Sequence, residues 1–227
     1  MSMMLRLEDV GRSIFSPLIV HKPKPSSHRP PLPCTRSLCE AYLKTLKLPP
    51  AYFVRRHDKC FCKMCHKPPG SAIPCNKTCK QLHDWVRFGL LIHEAHERLC
   101  KVSQTWKTSY YGTSPHLLSS ILTNRFVPFD GDQVTPHSTF NSGHPKSNDC
   151  VTSPSLTHAS QARFSKRVRH RGIDGKNYDV QVVLQCKQKP DAFNVEGDAS
   201  SFDSIEWKTS VRSSLIPFGL LLKVHSV

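Results

Sequence analysis

Nowhere in this 227-residue chain does an apolar run approach the roughly 18 residues that a membrane helix needs, which predicts a soluble protein. The opening segment, MSMMLRLEDVGRSIF, lacks a clean apolar centre followed by small cleavage residues, so no secretory signal is expected. Glycine is sparse, with 10 residues against 18 prolines, a balance that suggests many fixed turns and extended connections. Acidic side chains are few as well: 17 stand against 32 Lys and Arg, for a net charge of +15. Apolar residues make up 38%, enough for a core though not a rich one, and the length suits one large domain or two small ones.

The charge is unevenly placed. Residues 1–110 hold 19 Lys/Arg and 7 Asp/Glu, whereas residues 111–227 hold 13 and 10. Such a basic front half favours an acidic partner: an acidic protein surface or assembly such as a microtubule lattice, a nucleic acid, or a phosphorylated ligand. Charge alone does not choose among them, and solvated lysines that keep a modest domain soluble account for it equally well. No membrane partner is expected. The compartment expected is intracellular, cytoplasmic or cytoskeletal, with the nucleus as the alternative.

Residues 1–33 read as an arm. HKPKPSSHRPPLP is rich in proline and positive charge with nothing periodic to bury, so it is extended or ordered only on a partner. RSLCEAYLKTLK (36–47) spaces Leu38, Tyr42 and Leu46 four apart, which predicts a short helix ended by Pro49 and Pro50. LHDWVRFGLLI (82–92) has strand character, while HEAHERLC (93–100) suits a helical turn or a strand end. WKTSYYGTS predicts a strand from Trp106 that breaks at Gly112. SPHLLSSILTN (114–124) predicts a helix with Ser114 as N-cap, Pro115 in the first turn and an apolar face of Leu117, Leu118, Ile121 and Leu122. Residues 126–149 read as one long polar loop. A short strand and a second helix over 153–164 follow, and four strand-like runs at 178–187, 191–195, 204–210 and 215–224 finish the chain.

Five of the ten cysteines lie between Cys60 and Cys79. Without a secretory signal, a disulfide framework is the poorer explanation and metal the better one. Cys62-x2-Cys65 has the spacing at which two thiolates on one tight turn point at a tetrahedral ion, and Cys75-x3-Cys79 offers a second pair. Cys60 makes five thiols for four places, with His57, His66 and His83 nearby, so the ligand set stays open, as does the reading in which these are simply reduced cysteines. A structural zinc is expected here and catalysis is not, because four protein ligands close the coordination sphere.

Three segments, in order, resemble the conserved blocks of the poly(ADP-ribose) polymerase type of ADP-ribosyltransferase. Tyr110-Tyr111-Gly112-Thr113 stands at the place of the family's His-Gly-Ser or His-Gly-Thr strand motif. Val151-Thr152-Ser153-Pro154-Ser155 with His158-Ala159 resembles the block that carries the family's tyrosine. DVQVVLQCK, Ile205-Glu206-Trp207 and the closing Ile216–Lys223 run are similar to the family's last strands, where a glutamate precedes an aromatic. LPPAYFVRRHDKCFCKMCHK with DWVRFGLLI is similar to a cysteine-containing region beside such domains in neuralized-related animal proteins, so the resemblance spans about residues 49–227.

The resemblance implies an α+β fold: an ADP-ribosyltransferase-like split β-sheet core with few short helices over 101–227. A small Cys/His-rich module over 34–100 and the arm of residues 1–33 precede it. It also implies NAD chemistry, in which cleavage at the nicotinamide ribose passes through an oxocarbenium-like transition state that calls for a carboxylate beneath it. Glu206 stands at that carboxylate's place, although an ordinary strand glutamate is the alternative reading. The family's histidine, which fixes the ribose, is matched by Tyr111, whose larger ring is expected to fill part of the pocket rather than serve it. The family's stacking tyrosine is matched by Val151, or by Cys150 one residue back, so stacking worth roughly 0.5–1.5 kcal/mol is lost. Gly112, Thr113 and Ser153 remain as candidate contacts for a carboxamide or another flat ligand.

With two of three signature residues replaced, orienting effects worth roughly 7–11 kcal/mol are compromised. The expected function is therefore a non-catalytic binding or scaffold module for an acidic partner. A mono-ADP-ribosyltransferase working through Glu206 is the alternative, and RNA or DNA binding through the basic arm a third reading. Arg163, Lys166, Arg167, Arg169 and Arg171 form a dense basic stretch that, if helical, puts 163, 167 and 171 on one face for phosphates or an acidic protein, or simply for solvent.

Overall fold

The computed structural model describes residues 34–63, 65, 81–135, 138–140, 149–198 and 200–227, and Cys34–Val227 forms one compact unit. The expected arm of residues 1–33 lies outside the described residues. Among those described, no helix is long and apolar enough to cross a membrane.

The frame is an antiparallel sheet of β1 (Lys59–Cys60), β2 (Val86–Gly89), β11 (Leu215–Ser226), β8 (Asn177–Gln188) and β3 (Lys107–Thr113), in that spatial order. β7 (Val168–Arg171) also pairs with β8, so β3 covers Val182–Gln188 and β7 covers Asn177–Val180 along one edge of the same strand. A three-stranded sheet, β6 (Cys150–Thr152), β10 (Glu206–Thr209) and β9 (Asn194–Glu196), joins β3 through a single bridge between Tyr110 and Ser153. β4 (Gln133–Thr135) and β5 (Ser138–Thr139) form a separate two-stranded ribbon. The molecule is thus a mixed α and β structure with antiparallel sheets and few, short helices. β2, from the cysteine-rich segment, is hydrogen-bonded into the same sheet as β8 and β11.

Period-2 burial explains the main sheet. Val180, Val182, Leu184 and Cys186 of β8 and Leu220 and Leu222 of β11 all sit on one face and are fully buried. Two helices cover that face: α1 (Arg36–Thr45) and, after the short helices α2 (Glu94–Cys100) and α3 (Val102–Thr105), α4 (Pro115–Asn124). α1 turns Cys39 and Tyr42 inward, backed by Leu43 and Leu46, and the Cys39 thiol reaches the Leu222 carbonyl at 3.9 Å. The buried stripe is therefore rotated from the expected Leu38–Tyr42–Leu46 line. α4 starts at Ser114 with Pro115 in its first turn and buries Leu118, Ile121 and Leu122, although the Ser114 side chain makes no capping bond. The opposite face of the sheet carries a smaller cluster of Phe61, Leu82, Trp85, Tyr110, Leu156, Ala159, Val183 and Leu221.

Four expectations change. The strand from Lys107 does not break at Gly112 but runs to Thr113, because pairing with Val183 and Val182 continues through both residues. The helix expected over 153–164 shrinks to α5 (Leu156–Ala159). The Gln181 amide donates to the Ser160 and Ser165 carbonyls and the Ser165 hydroxyl to the Val182 carbonyl, so the chain is drawn onto the sheet instead of continuing the helix. The basic stretch is not helical: residues 168–171 alternate half-buried and exposed as strand β7, closed by a turn whose Gly175 takes φ +77°. Within the expected long loop, the described part holds the ribbon of β4 and β5, and residues 136–137 and 141–148 lie outside the described residues. The segment 93–100, left open between helix and strand, is helix α2, with the His93 ring accepting from Ala95 N–H at 3.2 Å.

Candidate functional site

A cavity of about 390 Å³ opens where the two sheets part beyond the Tyr110–Ser153 bridge. Tyr110 commits both main-chain groups to Ser153, at 2.7 and 3.0 Å. Gly112, two residues on, presents its N–H and C=O along the same edge, away from β8. Among the described residues neither group meets a partner there. The opposite wall comes from β6, and α5 with the turn after it closes one side. Gly112 lies so near that turn that a Cβ would stand 2.2 Å from the Ala159 carbonyl and 2.6 Å from Phe164 Cβ, which leaves room for glycine alone.

Tyr111, Gly112, Thr113, Val151 and Ser153 all line this cavity, together with Cys150. Thr113 is 2% exposed and its hydroxyl has no hydrogen-bond partner among the described residues, an unusual state for a buried polar group. The Ser153 hydroxyl is spent on the Ile205 carbonyl at 2.7 Å. Tyr111 belongs to the main core cluster, opposite Leu184 of β8, and burial drives its phenol pKa well above the ordinary value.

Glu206, at the start of β10, is not on the cavity wall itself; its carboxylate lies 3.1 Å from His158 Nε2 and 3.7 Å from Arg163 Nη2, and both of those side chains line the cavity. His158 is 4% exposed. Its Nδ1 stands 2.7 Å from the Asp203 carbonyl, which only accepts, so that nitrogen carries a proton. Ser155 donates to the Asp203 carboxylate and accepts from His158 N–H, tying α5 to the segment before β10. The Glu206 carboxylate thus stands beside an imidazole and a guanidinium of the same chain. His158 entered the sequence reading only as part of a motif; nothing in the sequence marks it as the partner of Glu206, 48 residues away.

A second cluster lies at the other end of the molecule. Cys34, Cys60, Cys62 and Cys65 bring their sulfurs within 4.8 Å of one another. Cys34 Sγ lies 3.6 Å from Cys60, 3.4 Å from Cys65 and 3.6 Å from Cys62. A tetrahedron with metal–sulfur bonds of about 2.3 Å has edges of roughly 3.8 Å, so the four thiols are close to the geometry of one bound ion. The Cys65 N–H closes a turn on the Cys62 carbonyl at 3.1 Å, and β1 and β2 anchor that turn to the sheet. Burial raises the Cys60 thiol. Burial also acts to raise Cys62, but the Cys65 N–H and the neighbouring thiols outweigh it and bring this thiol down to about 7. Cys75 and Cys79, the second pair expected from spacing, lie outside the described residues. Cys34, which was not among the expected ligands, joins Cys60, Cys62 and Cys65.

No protein-family model matches the chain, and no curated protein matches it.

Proposed function

We propose that this chain is a degenerate ADP-ribosyltransferase-type module that binds an acidic partner instead of transferring ADP-ribose, and that its four-thiol cluster holds a structural zinc. The observation that carries the reading is the convergence of Tyr111–Thr113, Val151–Ser153 and the Glu206 pair around one cavity. Tyr111 is packed in the core, and Val151 gives no flat surface, so two orienting groups that such chemistry uses are missing. Glu206 is already paired with His158 and Arg163, which lowers its value as a free carboxylate beneath a developing positive charge. The zinc assignment rests on four sulfurs at near-tetrahedral spacing, a soft donor set suited to that ion.

One observation favours the alternative, an NAD-dependent mono-ADP-ribosyltransferase: the Glu206 carboxylate lies beside the cavity through two residues that line it. Labelled NAD decides between the two. Purified protein is expected to give no auto-modification and no NAD hydrolysis above that of Glu206→Gln; a clear Glu206-dependent signal would overturn the binding reading in favour of the enzyme.

A further inference from the structure

We propose that the partner is a single-stranded nucleic acid, with phosphates along Arg167, Arg169 and Arg171 and one base inserted beside Gly112. This rests on the binding-module reading and names its ligand. Two independent features meet at the same place.

The first is the cavity. Its wall includes Asp149, the deeply buried Thr113, whose hydroxyl meets no partner among the described residues, and the Gly112 strand edge, whose N–H and C=O meet none among them either. A nucleobase presents donors and acceptors around its rim and suits such a wall. At the lip, the Arg163 guanidinium lies 4.4 Å over the half-buried Phe164 ring, a flat cationic platform of the kind on which unstacked bases rest. A carboxylate side chain of a protein partner gains little from a cavity walled largely by aromatic and aliphatic side chains. A base inside a duplex cannot reach a recessed wall without leaving its stack, which favours a single strand.

The second feature is the ridge that leads from the lip. Lys166 lines the cavity and Arg167 follows it. The β7–β8 register sets Arg169 opposite Asp179 and Arg171 opposite Asn177, on the sheet face shared with Gln181 and Lys223. Gln181 ties the Ser160–Ser165 turn to that same face, so lip and ridge lie on one side of the sheet. Burial lowers the pKa of His225, and Arg167 and Lys223 lower it further, which places these charges together. Among the described residues Glu206 faces Arg163 and Asp179 pairs with Arg169, whereas Lys166, Arg167, Arg171 and Lys223 make no ion pair. Like charges gathered on one face, most of them without an ion-pair partner among the described residues, favour a polyanion.

The test is fluorescence anisotropy of the full chain with short labelled single-stranded RNA and DNA, titrated with salt, against duplex and polyglutamate competitors. Three phosphate contacts predict a log–log salt slope of about −2, from roughly −0.7 per contact. Arg167→Glu with Arg171→Glu is expected to weaken binding at least about tenfold and to flatten the slope by about 1.4. Val151→Trp, which fills the cavity, and Phe164→Ala, which removes the platform, are expected to weaken binding with the slope unchanged; melting curves identify any variant that has lost its fold. Polyglutamate competing as well as the oligonucleotide, with both cavity variants binding normally, would overturn the nucleic-acid assignment and leave an acidic protein as the partner. If neither polyanion binds, the binding-module reading falls with it.

Discussion

Replacing Cys34 with serine removes one of four clustered sulfurs, the other three standing 3.4–3.6 Å from it. A bound ion stabilises the folded chain in proportion to the logarithm of its affinity, so a loss of about 100-fold in affinity removes about 2.7 kcal/mol when the metal is in excess. For a chain of this size that corresponds to a fall in Tm of roughly 5–11 °C. The fall is expected to be felt in α1, because Cys34 precedes this helix and the ion would join it to β1 and the Cys62–Cys65 turn. Metal analysis should find about one zinc per wild-type chain purified without added zinc, and clearly less in Cys34→Ser. Cys75→Ser and Cys79→Ser should keep the metal, because four thiolates already complete a tetrahedral sphere. Zinc retained in Cys34→Ser but lost from Cys75→Ser would refute this ligand set. Metal-free protein whose thiols all titrate freely while folded would refute the site.

Gly112→Ala forces a Cβ against the Ala159 carbonyl and Phe164, and is expected to cost about 1–3 kcal/mol in denaturant unfolding. Leu222→Ala, in the fully buried row of β11, should cost about 2–5 kcal/mol by the same measurement. Arg212 makes a two-pronged pair with Asp132 and lies over the Phe126 and Phe129 rings, and that pair holds the Asp132 carboxyl below its ordinary pKa of 3.8. A lowered carboxyl stabilises the fold above its unfolded pKa and loses that contribution as pH falls through the folded one. Asp132→Asn should therefore flatten acid unfolding below about pH 4, with an effect near 1 kcal/mol because Arg212 is half exposed. His225, depressed by burial and then by Arg167 and Lys223, should titrate below 6.5 in NMR and move upward in Lys223→Glu.

Local rules made some elements readable. Ser114, Pro115 and a four-spaced apolar face announced α4, and the strand-like run at 178–187 announced β8. The same rules misled at 163–171. Arg163, Arg167 and Arg171 recur every four residues as on a helix, yet Val168, Arg169, His170 and Arg171 alternate as on a strand, and pairing with β8 favoured the alternation. The pairing decided because isolated short helices gain little in water, whereas a strand beside β8 gains a hydrogen-bonded edge and buries its alternate side chains.

The sequence by itself determined the classes of chemistry available: thiols dense enough for a metal, a basic surplus, and a carboxylate at position 206. Those follow from composition and short motifs, which need no contact map. Only the tertiary structure decided who meets whom. Cys34 joins Cys60, Cys62 and Cys65 across 26 residues or more, His158 meets Glu206 across 48, and Tyr110 pairs with Ser153 across 43. Such meetings depend on how strands register and where turns fold back, and no local pattern encodes a distance between residues that lie far apart along the chain.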